Sequence, residues 1–250
     1  QIEGSASDNL LDGAGGNDTV NGGIGNDTLL ASLNDDVLDG GVGVDVLSLA
    51  GGTIGANFTL VTGAGPNLVD LTAIGLGNDS YANIEGVVGT DFNDSLTGDA
   101  ANNFVGGGKG DDVLVGGDGD DRMFGGDGKD TIDGGLGYDS LVGGAGDDVF
   151  RFTTLDTVTF TFDGVVDFGL ATTTTTSSGK DMLDISALLT GFVAGSESQF
   201  VQIIDSGGNT FVQVDADGAA GGANFVDLCV LQGVTGKTLA DLLPSIDFTP

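Results

Sequence analysis

Residues 107–151 read GGKGDDVLV, GGDGDDRMF, GGDGKDTID, GGLGYDSLV and GGAGDDVFR, five nine-residue units that fit one template from Gly107 to Arg151. Each is Gly, Gly, any residue, Gly, any residue, Asp, any residue, a large apolar residue, any residue. A period this strict describes stacked identical turns. Extending it backwards in steps of nine adds GDAANNFVG from Gly98, with Asn103 in the Asp place, and GTDFNDSLT from Gly89. A second block holds GAGGNDTVN from Gly13, GGIGNDTLL from Gly22, the degenerate ASLNDDVLD from Ala31 and GGVGVDVLS from Gly40. EGSASDNLL from Glu3 reads as a looser copy, with Asp12 as one extra residue before Gly13. A flexible Gly/Asp linker would not keep an apolar residue at every eighth place.

Each unit reads as a six-residue Gly-rich turn followed by a three-residue strand whose middle side chain points inward. Two units then complete one flattened coil. Leu114, Met123, Ile132, Leu141 and Phe150 fill the interior, and successive coils stack at about 4.8 Å. The fold class is all-β, a parallel two-sheet β-roll or solenoid.

One large apolar side chain per unit is a thin core for nine residues of backbone that must be ordered, and glycine raises that entropic cost. The chain also carries 38 acidic residues against 6 basic ones, a formal charge of −32, so the metal-free form resists compaction. Calcium addresses both deficits, because it takes about six to eight oxygen ligands and turns of Gly and Asp offer carboxylates and unobstructed carbonyls. The candidate metal ligands are the sixth-position residues Asp18, Asp27, Asp36, Asp45, Asp94, Asn103, Asp112, Asp121, Asp130, Asp139 and Asp148. Neighbouring turns lie on opposite edges of the roll. An ion is therefore expected between turns two units apart, bridging Asp112 with Asp130, Asp121 with Asp139, Asp130 with Asp148, Asp18 with Asp36, and Asp27 with Asp45. The sites pairing Asp94 with Asp112 and Asn103 with Asp121 are expected to be weaker or incomplete. Fifth-position acids such as Asp111, Asp120 and Asp147 read as solvated side chains rather than ligands. The same charge argues against nucleic acid as a partner.

These units resemble the RTX (repeat-in-toxin) family, whose nonapeptide GGXGXDXUX has a large apolar residue at U. The match is most specific over Gly13 to Ser48 and Gly89 to Arg151. The resemblance implies a calcium-bound parallel β-roll in which first-half backbone carbonyls join the Asp carboxylates. The carbonyls so implied are those of Gly22, Gly23 and Gly25; Gly40, Gly41 and Gly43; Gly107, Gly108 and Gly110; Gly116, Gly117 and Gly119; Gly125, Gly126 and Gly128; Gly134, Gly135 and Gly137; and Gly143, Gly144 and Gly146. It further implies export by a type I secretion apparatus, directed by an uncleaved C-terminal signal, and an extracellular location with surface retention through the parent protein.

Four segments follow: a first repeat block at 1–48, irregular solenoid coils at 49–88, a second block at 89–151, and a C-terminal cap and secretion-signal region at 152–250. The irregular coils lack the nonapeptide but alternate as strands do, in NFTLV and NLVDL, and end in NDSYANIEGVVGTDFNDSLTG, which resembles a connection inside RTX arrays. Forty residues alone would make a poorly stabilised domain. After Phe152 the runs TVTFTF, GVVDF, QFVQII, TFVQV and NFVDLCVLQG read as strands, separated by turn signals such as SGGN and DADG. Asp181 to Leu189 and Leu239 to Leu243 read as short helices, the second with a capping box from Thr238 to Asp241 and a stop at Pro244. DMLDISALLTG and VLQGVTGKTLADLL resemble the C-terminal region of large RTX adhesins. A solenoid also needs an end cap to cover its last open coil.

The chain has no His and one Cys, which removes Ser/His/Asp and Cys/His machinery and internal disulfides. No GXSXG or GXXXXGK[ST] motif occurs, and no apolar run is long enough to span a bilayer. A non-enzymatic role is expected, with no catalytic residue. Asp215 and Asp217 read as a polar hairpin turn, Cys229 as a small buried hydrophobe, and Thr172 to Thr176 with Ser177 and Ser178 as a loop. QIEGSASDNL is unlike a signal peptide and lacks an initiator Met, so the chain is expected to be cut from a longer one. The leading expectation is a calcium-dependent folding and secretion module of a bacterial RTX adhesin, whose upstream domains meet a surface or carbohydrate target. The alternative is a calcium-binding accessory domain of a secreted protease, lipase or alginate epimerase. Ice binding is disfavoured because Thr19, Thr28 and Thr131 form too broken a row.

Overall fold

The structure is a computed structural model that describes residues 1–63, 65–153, 163–168, 181–189, 200–215, 225–242 and 245–247. In the second block the strands run Phe104–Lys109, Val113–Asp118, Arg122–Asp127, Thr131–Leu136 and Ser140–Ala145. The division of the repeat therefore differs from the expected six-residue turn and three-residue strand. Each strand takes positions seven to nine of one unit and one to three of the next, and the turn shrinks to positions four to six. Glycine allows this. The second and fourth positions, for example Gly108 at φ +110° and Gly110 at φ +115°, lie in the left-handed region that side chains rarely adopt, so paired strand and tight reversal can share the glycine-rich half of the repeat.

Within each block, strands two units apart pair in parallel. Leu114 faces Ile132, Met123 faces Leu141 and Gly117 faces Gly135, all 18 residues apart. Two walls result. One is an eleven-stranded sheet that runs from Leu10–Asp12 through Thr28–Leu30, Val46–Ser48 and Gly86–Val88 into the second block and on to the C-terminal strands. The opposite wall is a five-stranded sheet over the first block and a seven-stranded sheet over the second. Gly86–Val88 pairs with Val46–Ser48 on one side and Phe104–Lys109 on the other, so the two blocks share one wall. Between the walls lie the eighth-position side chains, and Leu29, Leu47, Leu96, Leu114, Met123, Ile132, Leu141 and Phe150 are all 0% exposed.

The pairing also corrects the register at the start of the chain. Leu11 faces Leu29, an eighth-position residue, and Leu10 faces Thr28. The first unit is therefore Gly4 to Asp12 rather than Glu3 to Leu11, Asn9 and not Asp8 holds the sixth position, and Asp12 is not an extra residue. A large apolar residue stands at both 10 and 11, and the buried face settles which of them is the eighth.

Asn57–Thr59 and Asn78–Ala82 stack in parallel on the repeat coils, while Asn67–Asp70 turns back antiparallel to Asn78–Ala82. At the far end Asp163–Val165 extends the long sheet, Val226–Leu231 pairs with it in parallel, and then Asn209–Val214 and Val201–Ser206 add antiparallel strands. The hairpin between the last two turns on Gly207 and Gly208, φ +64° and +90°, the SGGN signal of the sequence. Asp181 to Leu189 is not a helix. Met182–Asp184 is a strand beside Val149–Arg151, followed by one 3-10 turn at Ser186–Leu188, because Leu183 is needed in the core behind Phe150. The helix Leu239–Leu242 does carry its cap, with the Thr238 N–H donating to Asp241 Oδ2 at 2.8 Å. TVTFTF, the Thr172 to Ser178 run, Asp217, Leu243 and Pro244 lie outside the described residues.

Candidate metal centre

At each edge of the roll the sixth-position side chains form a column, because the 18-residue register places equivalent turns directly over one another. One carboxylate oxygen of each caps the coil before it. Asp112 N–H donates to Asp130 Oδ1 at 2.9 Å, Asp121 N–H to Asp139 Oδ1 at 2.8 Å, and Asp130 N–H to Asp148 Oδ1 at 3.0 Å. In the first block Asp18 N–H donates to Asp36 Oδ1 and Asp27 N–H to Asp45 Oδ1, at 2.9 and 2.7 Å. Asp94 and Asn103 join the columns through Asp112 and Asp121 in the same way.

The second oxygen is the informative one. Oδ2 of Asp27, Asp45, Asp112, Asp121, Asp130, Asp139 and Asp148 is buried with no hydrogen-bond donor, as is Oδ2 of Asp79. A buried ionised oxygen without a partner is among the costliest arrangements a fold can hold. Burial pushes the carboxyls of Asp121 and Asp130 up to about 7 and those of Asp45, Asp79 and Asp112 up to about 6, and like charges in the same columns act in the same direction. Asp139 and Asp163 are raised too, by burial and, for Asp163, by the charge of Asp139. These columns call for a cation.

The surroundings supply the remaining oxygens. A Cβ added to Gly107 would strike Asp112 Oδ2 and the Gly125 carbonyl oxygen, and one added to Gly116 or Gly125 would strike Asp121 Oδ2 with Gly134 O, or Asp130 Oδ2 with Gly143 O. Gly22 repeats the pattern with Asp27 Oδ2 and Gly40 O. Glycine is thus required at Gly22, Gly107, Gly116 and Gly125 because a side chain there would collide with a carboxylate oxygen and a carbonyl oxygen of the next coil where they converge. Carbonyls of Gly22, Gly107 and Gly116 occupy the same place beside Gly4, Gly89 and Gly98. The second- and fourth-position carbonyls, for example Gly108 O and Gly110 O, lie instead against Gly126 and Gly128, the matching glycines one coil on. Among the described residues no three carboxylate, histidine or cysteine side chains meet at one point. Across each coil step one carboxylate oxygen, such as Asp130 Oδ1, accepts the amide of the coil before, and the other oxygen lies beside a backbone carbonyl of the coil that follows. An all-oxygen donor set without imidazole or thiolate suits a hard ion, calcium above all.

Fifth-position side chains are exposed, yet they are more than solvated. Lys129 N–H donates to Asp111 Oδ1 and Tyr138 N–H to Asp120 Oδ1, at 2.9 and 3.0 Å, forming a second ladder outside the first. Asp147 pairs with Lys129 at 3.6 Å.

Sequence reasoning missed four column members. Asp79 Oδ1 accepts the Asp36 N–H, Glu85 Oε2 the Asp45 N–H, Asp163 Oδ1 the Asp139 N–H and Asp181 Oδ1 the Asp148 N–H. Two left a signal. Gly-Asn-Asp at 77–79 repeats the tripeptides at 16–18 and 25–27, and GKDMLD at 179–184 parallels GKDTID at 128–133.

Fold and site together define a parallel β-roll whose turns receive calcium. The RTX calcium-binding nonapeptide repeat matches residues 1–29, 22–53, 87–114, 106–141 and 124–152, so the two blocks are RTX calcium-binding repeats. Among solved structures it is similar to the AlgE6R3 and AlgE6R2 subunits of the Azotobacter vinelandii mannuronan C5-epimerase. Each is 26% identical, with TM-scores of 0.35 and 0.40, covering 63% and 62% of this chain and 79% and 92% of theirs. Similarity to the extracellular lipase LipA of Serratia marcescens is 13% identity at a TM-score of 0.26, over 97% of this chain and 38% of the lipase. No curated protein matches the sequence.

Proposed function

We propose that this calcium-binding β-roll acts as a folding and export module at the C-terminal end of a bacterial RTX adhesin. It would be unfolded and threadable through a type I secretion apparatus at low cytosolic calcium, and folded outside the cell. The observation that carries the reading is the set of buried Asp Oδ2 atoms without donors, in a chain of net charge −32. Without a cation, burying those oxygens opposes folding. With one bound at each turn, their charge is compensated and folding gains RT ln(1 + [L]/Kd) per site. Extracellular calcium modules bind at about 10⁻⁴–10⁻³ M, which separates the two compartments. The cap supports the same reading, since Met182–Asp184 and Val226–Leu231 continue the walls of the roll and would fold only on a formed last coil. Of the five described basic residues, Lys109, Lys129 and Arg151 each face a carboxylate, and the net charge of −32 repels an anionic polysaccharide, which favours this reading over an alginate-holding one. Circular dichroism of the purified chain is the test: little regular structure in chelator and a β-sheet spectrum in millimolar calcium are expected. Equal spectra in both would overturn the proposal.

A further inference from the structure

The eleven sixth-position residues of the two blocks and the Gly4 unit's Asn9 are not equivalent, and what separates them is the second residue of the unit. Where that residue is glycine, as in the units of Asp27, Asp45, Asp112, Asp121, Asp130, Asp139 and Asp148, Oδ2 has no donor. In four other units the second residue is Ser5, Ser32, Thr90 or Asp99, and it donates to the sixth-position side chain. Ser5 N–H reaches Asn9 Oδ1 at 2.6 Å, Ser32 Oγ reaches Asp36 Oδ2 at 2.8 Å, and Asp99 N–H reaches Asn103 Oδ1 at 2.7 Å. Thr90 does so twice, its N–H to Asp94 Oδ2 at 2.6 Å and its hydroxyl to Asp94 Oδ1 at 2.9 Å.

The cause is conformational. Second-position glycines lie near φ +100° to +123°, whereas Ser5, Ser32, Thr90 and Asp99 are not among the residues of positive φ. Ser5, Ser32, Thr90 and Asp99 leave the positive-φ region that a Cβ disfavours, and their donors turn into the turn; Ala14, the second residue of the Asp18 unit, keeps φ +66° and donates its N–H to Asp12 Oδ1 instead. Hydrogens carrying partial positive charge then occupy the place where a cation would sit, and the oxygen's need is already met. The rest of the cradle is intact in the Thr90 unit: a Cβ on Gly89 would strike Asp94 Oδ2 and lie 2.5 Å from Gly107 O, just as one on Gly107 would strike Asp112 Oδ2 and lie 2.5 Å from Gly125 O.

We propose that the second residue of each unit decides whether its turn takes calcium, so that the turns of Ser5, Ser32, Thr90 and Asp99 are closed by the chain itself and bind none. Metal-dependent turns of the two blocks are then separated by a seam at Asp94 and Asn103 that needs no ion. The inference rests on the calcium reading of the glycine turns. Its test is the number of calcium ions bound at saturation, counted by native mass spectrometry and by calorimetry, for the wild-type chain, Thr90→Gly and Thr90→Ser. Thr90→Gly is expected to bind one ion more than wild type, and Thr90→Ser, which keeps both donors, the same number. Gly108→Ser is expected to bind one fewer. If the wild-type chain binds calcium and Thr90→Gly binds the same number, the assignment of this role to the second residue is wrong while the calcium reading stands. A wild-type chain that binds none overturns both.

Discussion

Asp130 serves two coils at once: its Oδ1 accepts the backbone N–H of Asp112, 18 residues earlier, while its Oδ2 is buried beside Gly125 and the Gly143 carbonyl with no donor. Asp130→Ala should therefore disturb two turns, removing the charged oxygen from its own cradle and the amide acceptor that orders the Asp112 turn. Calorimetric titration is expected to show a loss of more than one calcium ion. Asp130→Asn, which keeps an oxygen acceptor for the amide, should lose about one. If Asp130→Ala also loses only one, the two turns are not coupled through this residue.

Metal-free protein should become more stable as it is acidified. Free carboxyls of Asp45, Asp79 and Asp112 are raised from 3.8 to about 6, and those of Asp121 and Asp130 to about 7, chiefly by burial. A group whose folded pKa lies above its unfolded one stabilises the fold fully below the unfolded value and loses that contribution as pH rises through the folded value. Between about pH 4 and 7 the chelated chain should thus lose folded structure as pH rises. Calcium reverses the slope, because ion binding needs the carboxylates deprotonated, and affinity should fall below about pH 6. Circular dichroism against pH with and without chelator checks both signs, and a chelated chain whose folded fraction rises with pH would contradict the assignment.

What the sequence made legible was whatever repeats. Period nine gave the coil, the 18-residue register, the inward eighth residue and the column of sixth-position acids, because each is a local rule applied again. What it hid depended on the neighbouring coil. Leu10 and Leu11 are both apolar, and only the pairing of Leu11 with Leu29 fixes the frame. Asp79, Glu85, Asp163 and Asp181 enter the columns after insertions that break the count, and the three-dimensional stack restores their register. The short helix expected from Asp181 to Leu189 yielded to a strand because the roll's open edge at Val149–Arg151 offered a ladder, a tertiary effect that local patterning does not carry.

Gly107→Ala isolates the cradle from backbone strain. Gly107 is not among the glycines of positive φ, so its backbone conformation admits alanine, but the new methyl would strike Asp112 Oδ2 and Gly125 O where they converge. One fewer bound ion and a lower Tm in calcium are expected, with little change in chelator, where the roll that brings these oxygens together does not form. A variant with the full ion count would show that this space is not where Asp112 meets the metal.

Cys229 reports on whether the cap depends on the roll. Its thiol is fully buried in the strand Val226–Leu231 and held well above its ordinary pKa, first by burial and then by the charge of Asp163. The same Asp163 pairs with Cys229 in the sheet and accepts the Asp139 N–H of the last full coil on that edge. Loss of the roll removes the surface on which this strand stacks. In calcium the thiol should resist an aromatic disulfide reagent, since thiolate and access are both denied, and in chelator it should label to completion. Protection that survives chelation would mean that the C-terminal strands hold together without the roll, and that calcium orders the repeats alone.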